Sequence, residues 1–272
     1  MAMEKLQAAL DKARKTRTTA AHPPRTAANS RAVSGQTRGQ DDLWQALEPF
    51  TVNPRHLETH RVVTHAASEA AAPFDILRTK VLLQMRQNGW KRLAITSPMP
   101  QSGKTTTACN LALGLGRQRD LRAMLFDLDL RDPSVHEFFE TTPQHGIDAL
   151  LTGQVDFAQQ GLRIGDNVAV SMSRGPVADP TRLLLDEQTA EALDRIEAEY
   201  APDLMIFDLP SVLVNDDTRA FLKNVDCALI VIRADATHYS QFNTCEREIG
   251  EQTNVLGVVL NAYRYGANSK SA

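Results

Sequence analysis

Residues 93–112 read LAITSPMPQSGKTTTACNLA, and the rest of the fold can be worked out from this segment. It begins with a short apolar run at 93–96, which predicts a buried β-strand, and continues into a segment at 103–118 whose apolar residues recur at helical spacing. A Gly-Lys-Thr triplet lies between the two. A strand, a loop ending in Gly-Lys-Thr and a helix are together typical of a phosphate-binding loop, or P-loop.

The residue types in this loop suit a nucleotide phosphate. Gly103 lets the backbone approach a phosphate closely, and the N–H groups at the start of the helix provide partial positive charge. We expect Lys104 to lie on the β- and γ-phosphates, Thr105 to ligate Mg²⁺ and Thr106 to contact the α-phosphate. Pro98 stands where such loops usually have their first glycine. The residues predicted to bind the nucleotide are Gln101, Ser102, Gly103, Lys104, Thr105, Thr106 and, after the last strand, Asn261, whose amide would pair with an adenine edge.

Three carboxylates follow two other apolar runs. Asp127 and Asp129 lie in the segment FDLDLRDP and share a face in an extended chain. Two neighbouring carboxylates repel each other unless a cation lies between them or one holds a proton, so Mg²⁺ coordination and acceptance of a substrate proton both fit. Asp132, which precedes a proline, is the better N-cap for the helix predicted next. Asp208 in LMIFDLPS follows four apolar residues, as the acid of a Walker B motif does, and is predicted to reach the metal.

Short apolar runs alternate with helical patterns along most of the chain. The runs lie at 93–96, 123–126, 168–172, 204–207, 228–232 and 256–260, and the helical patterns near 74–85, 103–118, 133–151, 181–199, 217–224 and 237–252. Strands that are apolar throughout and separated by helices indicate a parallel sheet with both faces buried. The sequence therefore predicts an α/β fold, a doubly wound and mainly parallel sheet of the P-loop NTPase type with helices on both faces.

Charge and composition divide the chain into four parts. The net charge is −3, but residues 1–40 contain eight Lys/Arg and two acidic residues, so a basic arm of net charge +6 precedes a body of net charge −9. Apart from a short amphipathic helix predicted over 4–17, the arm is predicted to be disordered because it has few large apolar residues. Residues 41–70 are predicted to be a transitional linker, 71–262 the nucleotide-binding domain and 263–272 a short polar tail.

Several classes of protein are excluded by the same composition. No apolar run approaches the roughly 18–20 residues that span a bilayer, and the N-terminus lacks the apolar segment of a secretory signal. The three cysteines have no metal-binding spacing, which favours reduced thiols and a cytoplasmic location. With 6% aromatic residues, a surface that stacks bases or sugars is not expected, and neither is a nucleic-acid partner.

Taken together, the motifs resemble those of the bacterial tyrosine kinases of the polysaccharide-export type (BY-kinases). The resemblance runs from about residue 73 to 260, and the matching segments are LRTK (77–80), SPMPQSGKTTTACNLA (97–112), DLDLRDPSVH (127–136), GIDALLTG (146–153), DPTRLL (179–184) and IFDLPSVLVNDD (206–217). The DxDxR block at 127–131 corresponds to the Walker A′ motif, which separates this family from most P-loop ATPases.

The resemblance implies an ATP-dependent protein-tyrosine kinase that regulates polysaccharide export or chain length, with ATP and Mg²⁺ as cofactors. It implies that Asp127 acts on the incoming tyrosine hydroxyl, as a base or through Mg²⁺. It also implies that Asp129 and Asp208 organise the metal and that Arg131 helps to close the site. The predicted catalytic residues are Lys104, Asp127, Asp129 and Arg131, and the predicted metal ligands are Thr105, Asp127 and Asp208.

The family also indicates phosphate acceptors and partners. Tyr263 and Tyr265 in the polar tail are the predicted autophosphorylation sites, whereas Tyr200 and Tyr239, at the ends of predicted helices, are expected to be packed. The expected partner is a transmembrane adaptor, a polysaccharide co-polymerase on a separate chain that docks near the nucleotide. The basic arm would add attraction to the anionic inner face of the cell membrane.

Three departures from the family and two alternatives bear on this interpretation. One departure is that the tail contains Tyr263 and Tyr265 where the family usually has a run of several tyrosines. The self-association motif Glu-x-x-Arg-x-x-Arg reads Ala72, Asp75 and Arg78 here, so a homo-oligomer is left open, and the Walker B ending is DLPS in place of a DTPP-like sequence. A partitioning-type ATPase would carry a signature lysine where this chain has Met99. The other alternative is a regulatory subunit of the export machinery that binds ATP without kinase activity.

Overall fold

The computed structural model describes residues 36–263, and these form a layered α/β structure. The helices are α1 (Gln36–Ala46), α2 (Pro54–Thr59), α3 (Ala72–Asn88), α4 (Lys104–Gly116), α5 (Val135–Phe138), α6 (Ile147–Leu151), α7 (Phe157–Gln160), α8 (Pro180–Leu185), α9 (Glu187–Tyr200), α10 (Asp217–Phe221, followed by a 3-10 turn at Leu222–Asn224) and α11 (Tyr239–Gly250). The strands are β1 (Glu48–Phe50), β2 (Arg92–Thr96), β3 (Ala123–Asp127), β4 (Leu162–Ile164), β5 (Val168–Ser171), β6 (Leu204–Asp208), β7 (Cys227–Arg233) and β8 (Asn254–Asn261).

The eight strands form one sheet in the order β1-β4-β5-β3-β6-β2-β7-β8. Every neighbouring pair is parallel except β4 and β5. The predicted α/β fold with a mainly parallel sheet is therefore confirmed, and each of the six predicted strands is present. Because β2, β3 and β6 are adjacent and parallel, their carboxyl ends meet at one edge of the sheet, which is where ligands bind in such folds.

Alternate residues of the central strands pack on opposite faces of the sheet. In β3, Met124 and Phe126 belong to one buried cluster, and Ala123 and Leu125 belong to the other. Stacking of the Phe126 and Phe207 rings, whose centroids lie 5.1 Å apart, joins β3 to β6 in the first cluster. Two buried faces require strands without polar positions, and this requirement explains the unbroken apolar runs.

Two long helices predicted from the sequence are interrupted in the structure. The predicted helix at 133–151 is two short helices, α5 and α6, because Pro143 and Gly146 lie in the segment between them. The prediction for 181–199 is similarly divided at Asp186, which ends α8 and accepts a hydrogen bond from Gln188 N as the N-cap of α9.

Residues 41–70, predicted to be a linker, pack against the domain in the structure. Trp44 of α1 and Leu47, which follows that helix, are fully buried in one core cluster, while Leu57 and Val62 are buried in the other. Strand β1 extends the sheet by pairing with β4. These elements could not be predicted from the sequence, because each contributes only one or two apolar residues to the core.

The predicted arm lies mostly outside the described residues. The helix predicted over 4–17 is in that part, and residues 36–40, predicted to be disordered, form the first turns of α1. Among the described helices, none is long and apolar enough to cross a membrane.

Candidate functional site

The P-loop lies between β2 and α4, as predicted. Gly103 precedes α4 in the left-handed region, with φ +89°, and a Cβ placed there would lie 2.0 Å from Asn261 Nδ2. This position therefore requires glycine for two reasons, its backbone conformation and the close approach of a neighbouring side chain. Gln101 also has a positive φ, of 59°, in the turn before it.

Short hydrogen bonds hold the first part of the loop in place. The hydroxyls of Ser97 and Ser102 both donate to the carbonyl oxygen of Met99, each at 2.8 Å. Ser97 is also bound by the segment after β6, through Ser211 Oγ at 3.0 Å and through Val212 N, which donates to its carbonyl oxygen at 2.9 Å. The DLPS ending of the Walker B segment thus supports the P-loop, a role that its residue types alone did not reveal.

Lys104 and Thr105 point toward the carboxylates. Lys104 is nine-tenths buried, and its Nζ lies 3.9 Å from Asp129 Oδ2. The Thr105 hydroxyl donates to Asp208 Oδ2 at 2.6 Å. Ser134, within the DLDLRDPSVH segment but not predicted as a site residue, has its hydroxyl 3.4 Å from that of Thr105.

Asp127 and Asp208 lie side by side at the ends of β3 and β6. They are paired residues in the strand register, both are fully buried, and each has one carboxylate oxygen, Oδ1, without a hydrogen-bond partner. The other oxygen of Asp127 accepts from Val135 N at 3.1 Å, at the start of α5. An unpaired oxygen on a buried carboxylate is unfavourable unless a proton or a cation binds it.

The environment disfavours negative charge on these carboxylates. Burial, and then the charge of Asp208, raise the pKa of Asp127 well above its usual range. Burial raises the pKa of Asp208 to about 7, although Lys104 and the Thr105 hydroxyl lower it. Burial also raises the pKa of Asp129, against the lowering effect of Lys104. Perturbed carboxylates beside a phosphate-binding loop are typical of a functional site.

The residues present fit a magnesium ion bound together with a nucleotide. Thr105, Asp127 and Asp208 offer a hydroxyl and two carboxylates, including the two buried oxygens without partners. Within residues 36–263, no three or more His, Cys, Asp or Glu side chains form a complete metal-binding group. Mg²⁺ suits such a set, because it binds through one or two carboxylates and fills its other positions with phosphate oxygens and water.

Arg131 is held by a residue that was not predicted as part of the site. Its Nε donates to Asp217 Oδ2 at 2.6 Å, and its Nη2 donates to Asp217 Oδ1 at 3.1 Å. Asp132 is exposed and is not the N-cap of the next helix, because α5 begins at Val135 with Ser134 as its N-cap residue. That expectation was wrong, since Pro133 lies before the first turn and not within it.

Asn261 lies on the P-loop in this structure. Its Nδ2 donates to the Ser102 carbonyl oxygen at 2.9 Å, and its Oδ1 accepts from Ala262 N. The amide therefore supports the loop, and its contact with an adenine stays a prediction. Thr106 is half-buried at the start of α4, and its carbonyl oxygen accepts from Asn110 Nδ2.

The tyrosines differ in exposure. Tyr200 is buried, and burial raises its pKa to about 12. Tyr239, expected to be packed, is 42% exposed, because it begins α11 on the surface. Tyr263 is equally exposed, and Tyr265 lies outside the described residues.

The structure thus brings most of the predicted residues to one edge of the sheet. This edge carries the P-loop, the Lys104 ammonium, the Thr105 hydroxyl and three carboxylates. Such an arrangement can bind a nucleotide with its metal and accept a proton. Asp217 is the last residue of the segment IFDLPSVLVNDD, which resembles the family, but nothing in the sequence indicates its contact with Arg131.

Comparison with known proteins gives one consistent class of relatives. No protein-family model matches the sequence. The chain is 26% identical over 210 residues to the tyrosine-protein kinase YwqD of Bacillus subtilis, covering 76% of this chain and 87% of that protein. It is 27% identical over 201 residues to the tyrosine-protein kinase etk of Escherichia coli K12, covering 73% of this chain but 27% of that protein.

Solved structures agree with these sequence relatives. The kinase domain of Escherichia coli tyrosine kinase ETK superposes with a TM-score of 0.65 at 26% identity, covering 74% of this chain and 81% of that one. The cell division ATPase MinD of Pyrococcus furiosus superposes with a TM-score of 0.54 at 22% identity over 65% of this chain and 74% of that one, a likeness of fold alone.

Proposed function

We propose that this chain, which is similar in sequence and fold to bacterial tyrosine-protein kinases, is a kinase of that family and transfers the γ-phosphoryl group of ATP to tyrosine. We further propose that it serves polysaccharide export, with phosphorylation regulating export or chain length. YwqD is matched over most of its length, whereas etk is matched over about a quarter of its length, so the activity of such longer proteins is carried over here as part of the proposal.

One observation carries the proposal. Asp127 ends β3 fully buried beside Asp208, and its Oδ1 has no partner. A carboxylate with a raised pKa is a better proton acceptor once it is ionised, and this one stands at the edge of the sheet where the P-loop would hold the γ-phosphate. A buried acid in this position can accept a proton during phosphoryl transfer.

In the proposed reaction, the oxygen of a tyrosine hydroxyl attacks the γ-phosphorus. A new P–O bond forms to tyrosine, the bond to the β–γ bridging oxygen breaks, and ADP leaves with that electron pair. The tyrosine proton passes to Asp127, which acts as a base; Mg²⁺, when bound, would make the hydroxyl more acidic. Lys104 neutralises charge on the phosphates, and Gly103 and its neighbours provide N–H donors; catalysis is mainly positioning and charge stabilisation.

Mg²⁺ would be held by Thr105, Asp208 and Asp127, with Asp129 close to Lys104. When bound, it neutralises charge on the transferred phosphoryl group. Arg131, Gln101, Ser102 and Thr106 would complete the nucleotide site. Asn261 would reach the adenine if its amide leaves the Ser102 carbonyl.

The partner and the location belong to the same proposal. We propose that a transmembrane adaptor on a separate chain activates the kinase, and that the basic arm assists recruitment from the cytoplasm to anionic lipid. Electrostatic attraction to anionic lipid contributes about 1 kcal/mol for each basic residue near the membrane surface, and it decays within a Debye length. Removal of residues 1–35, which lie before α1, should weaken binding to phosphatidylserine vesicles in a salt-dependent way and leave ATP affinity unchanged. Vesicle binding unaltered by the removal would contradict this role of the arm.

The central experiment measures two products from one reaction. Purified protein is incubated with labelled ATP, Mg²⁺ and a copolymer of glutamate and tyrosine, and phosphotyrosine and free phosphate are quantified. Because the adaptor is proposed to activate the kinase, we expect weak phosphotyrosine formation from the wild type alone and none from Asp127→Asn, which keeps the shape of the side chain. Free phosphate without phosphotyrosine would indicate a partitioning-type ATPase, and nucleotide binding without either product would indicate a regulatory subunit.

A further inference from the structure

Asp217 is a fully buried acid whose contacts lie outside its own helix. Both of its carboxylate oxygens accept from the Arg131 guanidinium, at 2.6 and 3.1 Å, and Oδ1 also accepts from the Thr181 hydroxyl. It stands at the first position of α10, directly after the N-cap residue Asp216, which makes no side-chain capping hydrogen bond. A two-pronged pair of this kind fixes the guanidinium in both position and plane.

The held arginine belongs to the turn that follows Asp127. Asp129 lies two residues before Arg131, and its carboxylate is 3.9 Å from Lys104 Nζ. The turn is closed by Asp132 N, which donates to the Asp129 carbonyl oxygen at 3.2 Å.

A second connection ties the same turn to α8. Val177 N donates to the Leu130 carbonyl oxygen at 2.8 Å, and Thr181 on α8 contacts both Asp217 and Arg131 Nη2. The turn is thus anchored from the segment before α8 and from α10. The Asp217 carboxylate contacts both Arg131 in the turn and Thr181 on α8.

We infer that Asp217 is a positioning residue for phosphoryl transfer, which holds Arg131 and through it the turn carrying Asp129 against the P-loop. The reaction in this inference rests on the proposed function, whereas the contacts of Asp217 and Arg131 do not depend on it. Misplacement of a catalytic group by about 1 Å lowers a rate about 100-fold, and loss of the Asp217 charge would free the turn for such displacements.

The test uses five variants of the full chain, one of them a milder substitution held in reserve. Asp217→Asn removes the charge with little change in shape, Arg131→Gln removes its partner, and the double variant removes both. Asp216→Asn is the matched control, because Asp216 is the adjacent acid, is 76% exposed and pairs with Arg219 away from the site. Thr181→Val is the milder variant if Asp217→Asn fails to fold, since it removes one donor to the same carboxylate.

Two measurements are made on each variant. Rates of phosphotyrosine formation and of free phosphate release give kcat and KM, and hydrogen exchange read by mass spectrometry gives the protection of residues 128–133 and of α10. We expect Asp217→Asn to lower kcat about 10- to 100-fold with less than a two-fold change in the KM for ATP. Exchange should rise at 128–133, and adding Asp217→Asn to Arg131→Gln should slow the reaction no further. Asp216→Asn should match the wild type.

The outcomes separate this inference from the proposed function. Unchanged exchange at 128–133 in Asp217→Asn, or a rise confined to α10, would overturn the inference whatever the activity. Additive losses of kcat in the double variant would also overturn it. If the wild type releases only free phosphate, the tyrosine-kinase proposal fails and Asp217 is still tested on phosphate release. If the wild type yields neither product, the exchange measurement decides alone.

Discussion

Replacing Asp208 by asparagine should stabilise the nucleotide-free protein at neutral and alkaline pH. Burial raises the pKa of Asp208 to about 7 in the folded protein, whereas the group titrates at 3.8 in the unfolded chain. Between these two values, folding takes up a proton. The stability of the wild type therefore falls as the pH rises through this window, and the loss is complete above it.

The size of the effect follows from the two pKa values. A difference of roughly 3 is equivalent to about 4 kcal/mol. This is an upper bound, because water that enters the site solvates the ionised carboxylate. Asparagine can still accept the Thr105 hydroxyl through its oxygen, and its Nδ2 is a donor beside the unpartnered oxygen of Asp127. We expect Asp208→Asn to be about 2–4 kcal/mol more stable than the wild type near pH 8 and equal to it near pH 4.

Urea denaturation followed by circular dichroism, with a chelator and no nucleotide, measures this difference at both pH values. The control is Asp216→Asn, which alters an exposed ion pair and should change stability by less than about 0.5 kcal/mol. A less stable Asp208→Asn near pH 8, or a gain of equal size at both pH values, would refute the reasoning. Asp208→Asn should also lose phosphoryl transfer, because the carboxylate charge that destabilises the nucleotide-free protein is the charge expected to bind Mg²⁺.

Three other predictions address binding, modification and packing. Lys104→Met should abolish detectable MgATP binding in isothermal titration with a non-hydrolysable analogue, because the lysine neutralises the phosphates; unchanged affinity would show that the loop does not hold phosphate. Mass spectrometry of protein incubated with MgATP and its adaptor should find phosphate at Tyr263 or Tyr265 and not at Tyr200, which is buried; phosphate at Tyr200 alone would contradict the assignment. Asn110→Ala should lower the free energy of unfolding by about 2–4 kcal/mol, because the buried amide accepts from one backbone N–H and donates to two carbonyl oxygens. A loss below about 0.5 kcal/mol in urea denaturation would be inconsistent with those bonds.

The sequence was most informative where a local pattern determines a local structure. The Gly-Lys-Thr triplet between an apolar run and an amphipathic segment allows few structures, and the P-loop is where it was predicted. Asp127 and Asp208 could be placed together because each ends an apolar run and parallel strands end at one edge. Their shared burial and raised pKa values then follow from the sheet.

Contacts between distant parts of the chain could not be predicted in this way. Asp217 is 86 residues from Arg131, and a single pair of opposite charges at that separation has no pattern that marks it. Strands β1 and β4 are three residues each, too short for any periodicity. Trp44 lies in a mostly polar helix, so its complete burial depends on the surface of α9 that it meets, where it contacts Tyr200 edge to face.

The short strand β1 also affects how the protein avoids aggregation. A sheet ending at β4 would present Leu162, Arg163 and Ile164 as an open edge, and such edges can pair with strands of other molecules. β1 covers that edge with three residues, Glu48, Pro49 and Phe50, and the proline in the middle has no N–H to donate. Strand β1 therefore replaces an edge with two apolar residues by one that is acidic at its start and poorer in hydrogen-bond donors, which limits edge-to-edge association between copies at high concentration.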